Sequence, residues 1–276
     1  MKRWAHRCAP LQRDPAAESA AGSWSNIKYM PRLFLIALQF LTVFRLRHDL
    51  RETPEELAAS VAYYPLVGLI LGLLCLGVGL LLKAWFFPLV IGLLITLALA
   101  AFTRGLHLDG LADTADGLLS HRDRERKLAI MKDSAIGVFG ALALIFAVVL
   151  KASLLAGLLD SPLGPAAIVL FPVWSRWAVS LTAGLSTYAR VEGGLGRPFV
   201  NLAGPREILA AGVITAAISL IVLGLPGLLV ALLIGLAALF GVRIWRREIG
   251  GVTGDILGAV NEMCEVLGLI LIGVLA

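Results

Sequence analysis

Long apolar segments without charged residues place the strongest constraint on how this chain can fold. Residues 61–82 and 208–223 contain no Asp, Glu, Lys or Arg, and about 20 apolar residues let a helix cross the roughly 30 Å hydrocarbon core of a bilayer. The segments show no alternation of polar and apolar residues, which argues against strands. Charged residues make up only 16% of the chain, against about a quarter in soluble domains. The sequence therefore predicts an all-α, polytopic integral membrane helical bundle.

About seven apolar segments qualify as transmembrane helices. They are residues 61–82, 85–103, 136–158, 166–185, 208–223, 226–242 and 256–275. A further segment, residues 33–44, is too short to span, so we expect a short amino-terminal interfacial or re-entrant helix there. Residues 1–29 contain no apolar segment of signal-peptide length. We expect them to be a disordered extension or a mis-assigned start, followed by a single transmembrane domain over residues 30–276.

Basic residues divide the connecting segments into two classes. All Lys and Arg except Lys83, Lys151 and Arg176 lie in the amino-terminal segment or in residues 45–60, 104–135, 186–207 and 243–255. Seven spans would place these connections on one side of the membrane, which the positive-inside tendency identifies as cytoplasmic. The net charge of +5 comes from scattered basic residues without interleaved aromatics, so we expect it to orient the protein in the membrane and expect no nucleic-acid partner.

The second cytoplasmic connection contains the most unusual segment of the chain, residues 105–118 (GLHLDGLADTADGL). Asp109, Asp113 and Asp116 are spaced i, i+4 and i+7, so a helix would place all three carboxylates on one face. Such carboxylates repel one another, and hard oxygen ligands favour Mg²⁺. A solvated acidic face is the alternative, but unpaired carboxylates among apolar residues at membrane depth are costly, which favours the metal site. His107 would point away from that face, and we expect it to be structural.

Two further segments carry residues suited to binding phosphate. Lys132, Asp133 and Ser134 stand where a helix amino terminus would begin the third span. Helix capping alone would explain Asp133 and Ser134, whereas Lys132 and the free backbone N–H groups could hold a phosphate. Arg176 lies within a span and must find an anion, and a phosphate or one of the aspartates is the expected partner.

The last cytoplasmic connection reads GGVTGDILGAVNE over residues 250–262. Asp255 and Glu262 are spaced i and i+7, so they share one helical face, and Asn261 is adjacent. Glycines let a backbone approach a ligand closely, although they are also common where membrane helices pack together. Together with the aspartate segment, this pattern predicts a second wall of one site.

These motifs together resemble the cobalamin synthase family, the adenosylcobinamide-GDP ribazoletransferases, which are bacterial inner-membrane enzymes of late vitamin B12 assembly. The resemblance begins near Arg32 and extends to the carboxyl terminus. It rests on residues 37–42, 64–68, 105–118, 131–134 with Gly137, 175–176 and 250–262. The family often has arginine where this chain has Val43 and Ala135, and Arg45 or Arg104 could compensate for a lost phosphate contact.

The resemblance implies that adenosylcobinamide-GDP reacts with α-ribazole, or with its 5'-phosphate, to give adenosylcobalamin, or its 5'-phosphate, and GMP. It also implies a requirement for Mg²⁺ and an active site facing the cytoplasm, with membrane lipids and other corrinoid-pathway enzymes as contacts. Within that reaction we expect Asp109, Asp113 and Asp116 to bind the metal, and these three and Asp133 to be catalytic. The expected substrate-binding residues are Lys132, Ser134, Arg176, Asp255, Asn261 and Glu262.

Two other functions fit parts of the pattern. A secondary transporter could use carboxylates and an arginine among seven spans, but here the carboxylates cluster at one face and no inverted repeat is visible. A CDP-alcohol phosphatidyltransferase also uses an aspartate-rich membrane helix. In that family Asp-Gly is followed by Ala-Arg, whereas Asp109-Gly110 is followed here by Leu111-Ala112-Asp113.

Overall fold

A computed structural model describes residues 30–47 and 51–276 of the chain. The extension predicted at residues 1–29 lies outside the described residues. Regular structure in the described ranges consists of helices. In chain order they are α1 (Met30–Leu41), α2 (Pro54–Ser60), α3 (Tyr64–Leu82), α4 (Pro88–Phe102), α5 (Leu106–Leu118), α6 (Arg124–Ile130), α7 (Val138–Leu158), α8 (Gly164–Gly184), α9 (Arg197–Leu202), α10 (Pro205–Leu223), α11 (Leu225–Ile249) and α12 (Gly254–Leu275).

Six helical segments of the described chain are long and apolar enough to cross a membrane. They are α3 with its short extension α2, and α7, α8, α10, α11 and α12. The pair α4–α5 also qualifies but bends by 94° between its two helices, so we treat α4 as the crossing arm and α5 as lying outside the spans. Counting α4 with its bent continuation as one span gives seven, which agrees with the predicted bundle of about seven transmembrane helices.

The bounds of the spans differ most from prediction in α11. This helix continues to Ile249, past the end predicted at residue 242. Its last turn contains Arg246 and Arg247, and cations there interact favourably with the negative end of the helix dipole. The predicted connection 243–255 therefore shrinks to the few residues between α11 and α12.

Helix α8 forms the centre of the bundle, because 83% of its most apolar 18-residue stretch is buried. It packs closely against α3, where a Cβ atom at Gly68 or Gly72 would overlap the α8 backbone at Pro172 or Val169. Without a hydrophobic driving force between helices in lipid, such close backbone contact supplies the packing energy through dispersion. The small residues of α3 thus set its distance from the central helix.

Contacts between connections identify the two ends of the bundle. At one end, the Ala189 N–H donates to the Val252 carbonyl and the Val252 N–H donates to the Thr187 carbonyl, each at 2.9 Å. We call this the basic end, because it gathers the arginine-rich connections. At the opposite end, Lys83 forms a 2.9 Å ion pair with Asp160. The charge pattern therefore predicted correctly which connections meet.

The predicted short amino-terminal helix is α1, a 12-residue apolar helix. Its Leu33, Ile36 and Leu41 are buried. Arg32 donates two hydrogen bonds, of 2.6 and 3.0 Å, to the Glu56 carboxylate of α2. The segment after α1 returns to the α4–α5 bend, where the Val43 N–H donates to the Phe102 carbonyl at 2.8 Å. Helix α1 therefore forms part of the basic end and borders the site described next.

Candidate functional site

The aspartate segment is helical and presents its carboxylates at the basic end. The chain leaves α4 through Arg104 and Gly105, both in the left-handed region at φ 56° and 66°, and then begins α5. Because α5 covers the whole segment, Asp109, Asp113 and Asp116 lie along one face. Asp109 is exposed and the other two are half-buried.

Of the three aspartates on α5, Asp116 accepts hydrogen bonds from backbone N–H groups of another helix. Its two carboxylate oxygens accept the backbone N–H groups of Gly137 and Gly140, at 2.7 and 2.8 Å. These N–H groups lie at the start of α7, where such donors have no partner within the helix and where negative charge is favoured. Asp116 thus joins α5 to the beginning of α7, directly after the turn that contains Lys132, Asp133 and Ser134.

We expect Gly140→Ala to loosen this junction. A Cβ atom at Gly140 would overlap the Asp116 carboxylate and lie 3.0 Å from the Ala112 carbonyl oxygen. We expect a loss of about 1–3 kcal/mol in unfolding free energy, typical of overpacking, measured by circular dichroism in detergent. Gly157→Ala is the matched control, because that glycine of the same helix has no neighbour within 4 Å. Equal stability of the two variants would contradict the role given to the Asp116 junction.

The first turn of α12 forms a second wall against α5. A Cβ atom at Gly110 would lie 2.6 Å from the Asp255 carbonyl oxygen, so the two helices meet almost backbone to backbone. The Asp255 carboxylate accepts hydrogen bonds from Arg190 at 2.6 Å and from the Thr253 hydroxyl at 3.2 Å. Asp255 therefore lies beside the aspartate helix, as the two motifs predicted.

A cavity of about 650 Å³ opens beside these walls. That volume falls within the range of small-molecule binding sites. Its lining combines carboxylates and apolar side chains of α1, α5, α9 and α12 with arginines of the connections that follow α1 and precede α5. The polar and charged side chains of this lining are Gln39, Arg45, Arg47, Glu52, Tyr64, Arg104, His107, Asp109 and Asp255. The two arginines considered as compensation for Val43 and Ala135, Arg45 and Arg104, both line it.

The carboxylates of the site destabilise one another's charge. Burial, and then the neighbouring Asp109 and Asp255, raise the pKa of Asp113 to about 6. Among residues 30–47 and 51–276, no three His, Cys, Asp or Glu side chains converge on a point that one metal ion could occupy. Mg²⁺ is usually held by one or two carboxylates together with substrate phosphates. The oxygen donors here fit Mg²⁺ on those terms, with a phosphate-bearing ligand completing the shell.

The turn between α6 and α7 lies at the solvent side of the site. Lys132 forms an ion pair with Glu192 of the connection after α8. Asp133 accepts the backbone N–H of Ala135 at 3.1 Å, which is the capping-type contact considered above. Lys132, Asp133 and Ser134 are all exposed. The structure therefore places these three side chains near the start of α7, where they can be reached from solution.

Three of the predicted substrate-binding residues belong to a separate, buried ion network. Arg176 pairs with Glu265, not with an aspartate of α5. Asn261 donates to Glu265 at 3.0 Å, and Glu262 accepts a 2.7 Å bond from Lys151, which also contacts Glu265. The network joins α7, α8 and α12 inside the bundle, and none of its residues lines the 650 Å³ cavity.

His107 lies between the cavity and this network. The side chain is only 5% exposed and interacts electrostatically with Arg176, Glu265 and Lys151. It is thus enclosed within the bundle, as expected for a structural histidine.

Sequence reasoning missed Arg190 and Glu265. Arg190 lies in a charged connection, where an arginine is ordinarily read as an orientation signal. Glu265 is one helical turn after Glu262, but nothing local to it indicates that two cations from other spans converge there. The glycines at 193, 194 and 196 were the available signal that the connection carrying Arg190 adopts a defined conformation.

Comparison with known proteins adds a family assignment. Residues 33–273 match the family described as cobalamin-5-phosphate synthase. A protein of Acetivibrio thermocellus called adenosylcobinamide-GDP ribazoletransferase is 41% identical over 89% of this chain and 98% of its own length. Proteins of the same name from Syntrophobacter fumaroxidans and a Roseiflexus species are 44% and 42% identical, over 85% and 84% of this chain and 95% and 86% of theirs. No solved structure matches the chain.

Proposed function

Because this chain belongs to the cobalamin-5-phosphate synthase family, we propose that it is an adenosylcobinamide-GDP ribazoletransferase. In this reaction α-ribazole, or its 5'-phosphate, and adenosylcobinamide-GDP give adenosylcobalamin, or its 5'-phosphate, and GMP in the late steps of cobalamin biosynthesis. The enzyme is a Mg²⁺-dependent transferase of substituted phosphate groups. The observation that carries this proposal is the cavity at the basic end, which is lined by Asp109, Asp255 and three arginines.

The bonds that form and break in this reaction suggest separate roles for the arginines and for the aspartates. The ribose 3'-hydroxyl oxygen of α-ribazole forms a bond to the phosphorus nearest the aminopropanol arm, and the bond from that phosphorus to GMP breaks. Arg45, Arg47 and Arg104 bind phosphate oxygens, because guanidinium groups pair with two oxygens at once. One or two of the carboxylates Asp109, Asp113 and Asp116, together with phosphate oxygens of the substrate, would hold each Mg²⁺ ion. The metal would stabilise the charge that develops as GMP leaves.

The hydroxyl proton needs an acceptor. Asp133 and Asp255 are both candidates for the general base. Asp133 is exposed at the start of α7, and Asp255 lies beside Asp109 on the cavity wall. We assign to Lys132 and Ser134, in the same turn as Asp133, contact with the incoming ribazole phosphate, because both are exposed at the basic end.

Arg176, Asn261 and Glu262 take a supporting role in this proposal. They are buried behind the site, and the ion network fixes α12, whose first turn carries Asp255. We therefore propose that these three residues position the second wall of the cavity without contacting substrate.

We place the enzyme in the bacterial inner membrane as a multi-pass protein with its cavity facing the cytoplasm. The positive-inside tendency and the arginines of the basic end support this orientation. The corrinoid and the nucleotide are water-soluble, so a cavity at the basic end receives both from the cytoplasm. The exposed basic connections are also where other enzymes of the corrinoid pathway would dock.

Product formation tests the proposal directly. Membranes containing the protein are incubated with adenosylcobinamide-GDP and α-ribazole 5'-phosphate, with Mg²⁺ or with EDTA, and products are identified by mass spectrometry. We expect adenosylcobalamin 5'-phosphate and GMP in equal amounts, only with Mg²⁺. Folded protein that makes neither product would overturn the proposal. Turnover of a CDP-lipid would then favour the phosphatidyltransferase alternative, and flux across vesicles without a covalent product would favour a transporter.

A further inference from the structure

Arg190 joins three separate parts of the site. One of its terminal nitrogens, Nη2, donates to the Asp255 carboxylate at 2.6 Å and to the Met131 carbonyl at 3.2 Å. Met131 directly precedes the turn that contains Lys132, Asp133 and Ser134. The side chain is 12% exposed and is therefore largely buried beside Asp255, which lines the cavity.

The backbone around Arg190 holds this side chain in place. The preceding residue, Ala189, donates to the Val252 carbonyl, and Val252 donates to the Thr187 carbonyl, both at 2.9 Å. Ala189 also accepts a hydrogen bond from Arg124 at 3.2 Å. Residues 187–189 are thus hydrogen-bonded to Val252, next to α12, and to Arg124 of α6. These bonds hold Arg190 beside Asp255.

Arg190 has more than one carboxylate in its surroundings. Asp255 is in direct contact with it, and Asp113 is near enough for electrostatic interaction with both Arg190 and Asp255. The other cation at this edge, Lys132, contacts Glu192. Among the described residues, Arg190 is thus the cation that pairs with Asp255 where α5 meets α12.

Arg190 also has unused hydrogen-bonding capacity. Its Nε–H is buried without a hydrogen-bond partner among the described residues, although a guanidinium can donate up to five N–H groups. The Tyr188 hydroxyl, which is also buried without a partner among those residues, lies near enough to interact with the guanidinium. A buried donor without a partner is unfavourable, and a phosphate oxygen is an acceptor that a guanidinium binds well.

We propose that Arg190 is an exchangeable counter-ion: it neutralises Asp255 in the free protein and binds the diphosphate of the nucleotide-bearing substrate once a divalent cation has joined the carboxylates. This inference rests on the proposed function. The cation takes over the neutralisation of Asp255, which frees the guanidinium to turn towards the phosphate. Arg190 thereby couples occupation of the carboxylates to recognition of the substrate.

The coupling predicts effects of opposite sign on two ligands. Loss of the Arg190 charge leaves the carboxylates less compensated, so a divalent cation alone binds more tightly. The same loss removes a phosphate donor, so the substrate binds more weakly. A purely structural role would weaken both, because the three segments would separate.

The test uses purified full-length protein in detergent and the variants Arg190→Gln, Arg190→Lys and Arg197→Gln. The probe for the carboxylates is Mn²⁺ alone, titrated by electron paramagnetic resonance. For Arg190→Gln we expect Mn²⁺ to bind about fivefold more tightly, as for one unit charge at close range in a polar environment. We expect KM for adenosylcobinamide-GDP to rise about 10- to 100-fold, the effect of losing a charged hydrogen bond. Arg197→Gln removes an exposed charge at the start of α9 and is expected to leave both values unchanged.

Arg190→Lys keeps the charge but not the guanidinium geometry. Its Mn²⁺ affinity is expected to match the native protein while KM still rises, which tests the inference even if Arg190→Gln does not fold. Weaker Mn²⁺ binding in folded Arg190→Gln, or an unchanged KM in both variants, would overturn the inference. The Mn²⁺ titration needs no substrate, so a native protein without transferase activity would refute the proposed function and still leave this titration informative.

Discussion

Asp113→Asn is expected to lower kcat/KM by about 10²–10³-fold, the effect of removing one preorganised electrostatic group from an active site. Asp113 lies between Asp109 and Asp116 on α5 and interacts electrostatically with Asp255. Asparagine keeps the shape of the side chain but supplies no negative charge for Mg²⁺. The measurement is steady-state formation of GMP at saturating Mg²⁺, with the folded fraction of each sample determined by size-exclusion chromatography.

The same substitution is expected to raise the stability of the metal-free protein. Because the pKa of Asp113 is raised from 3.8 to about 6, its charged form is unfavourable in the folded state. That penalty develops as the pH rises from 3.8 towards about 6 and is fully present above it. Asparagine removes it, so at pH 8 the melting temperature without Mg²⁺ should rise while activity falls, as at other sites that trade stability for function.

Asp160→Asn is the matched control for this prediction. Asp160 is a carboxylate at the opposite end of the bundle, where its side chain is 72% exposed beside Lys83. We expect its kcat/KM to stay within about twofold of native, because exposed ion pairs contribute little and this one is far from the cavity. If Asp113→Asn behaved like Asp160→Asn, the carboxylates of α5 would not be the centre of the reaction.

Lys151→Met is expected to reduce the unfolding free energy by about 3–5 kcal/mol, because it leaves buried carboxylates without a cation. The Lys151 side chain is 3% exposed and pairs with both Glu262 and Glu265. Methionine has a volume similar to that of lysine, so the loss of stability comes from the missing charge and not from a cavity. Thermal unfolding in detergent measures it, with Lys83→Met, in an exposed pair, as a control expected to change stability by about 0–1 kcal/mol.

A second substitution separates the charge effect from general damage to α7. In Lys151→Met with Glu262→Gln, one cation and one anion are removed together, and Glu265 keeps its contact with Arg176. Replacing a buried pair as a whole is often neutral, whereas breaking it is not. We therefore expect the double variant to recover most of the lost stability. A double variant as unstable as Lys151→Met alone would show that Lys151 acts through packing.

The sequence alone was sufficient for the membrane architecture and for the acidic face. Spans were predictable because a helix that crosses the bilayer needs about 20 consecutive apolar residues, and such a segment can be recognised in the sequence alone. The connections that meet at the basic end followed from the Lys and Arg pattern. The i, i+4, i+7 spacing of Asp109, Asp113 and Asp116 needed only the period of a helix.

Tertiary structure alone decided which charged groups meet. Lys151 and Glu262 are 111 residues apart in the chain, and Arg190 and Asp255 are 65 apart. Helical periodicity states which side of its own helix a residue occupies, but not which neighbouring helix that side contacts. Arg176 was therefore expected to pair with a phosphate or an aspartate of α5, whereas its partner is Glu265. Which helix lies opposite depends on how all the spans pack around α8. That arrangement placed Arg190 beside Asp255 and placed Arg176 inside the bundle, beside Glu265.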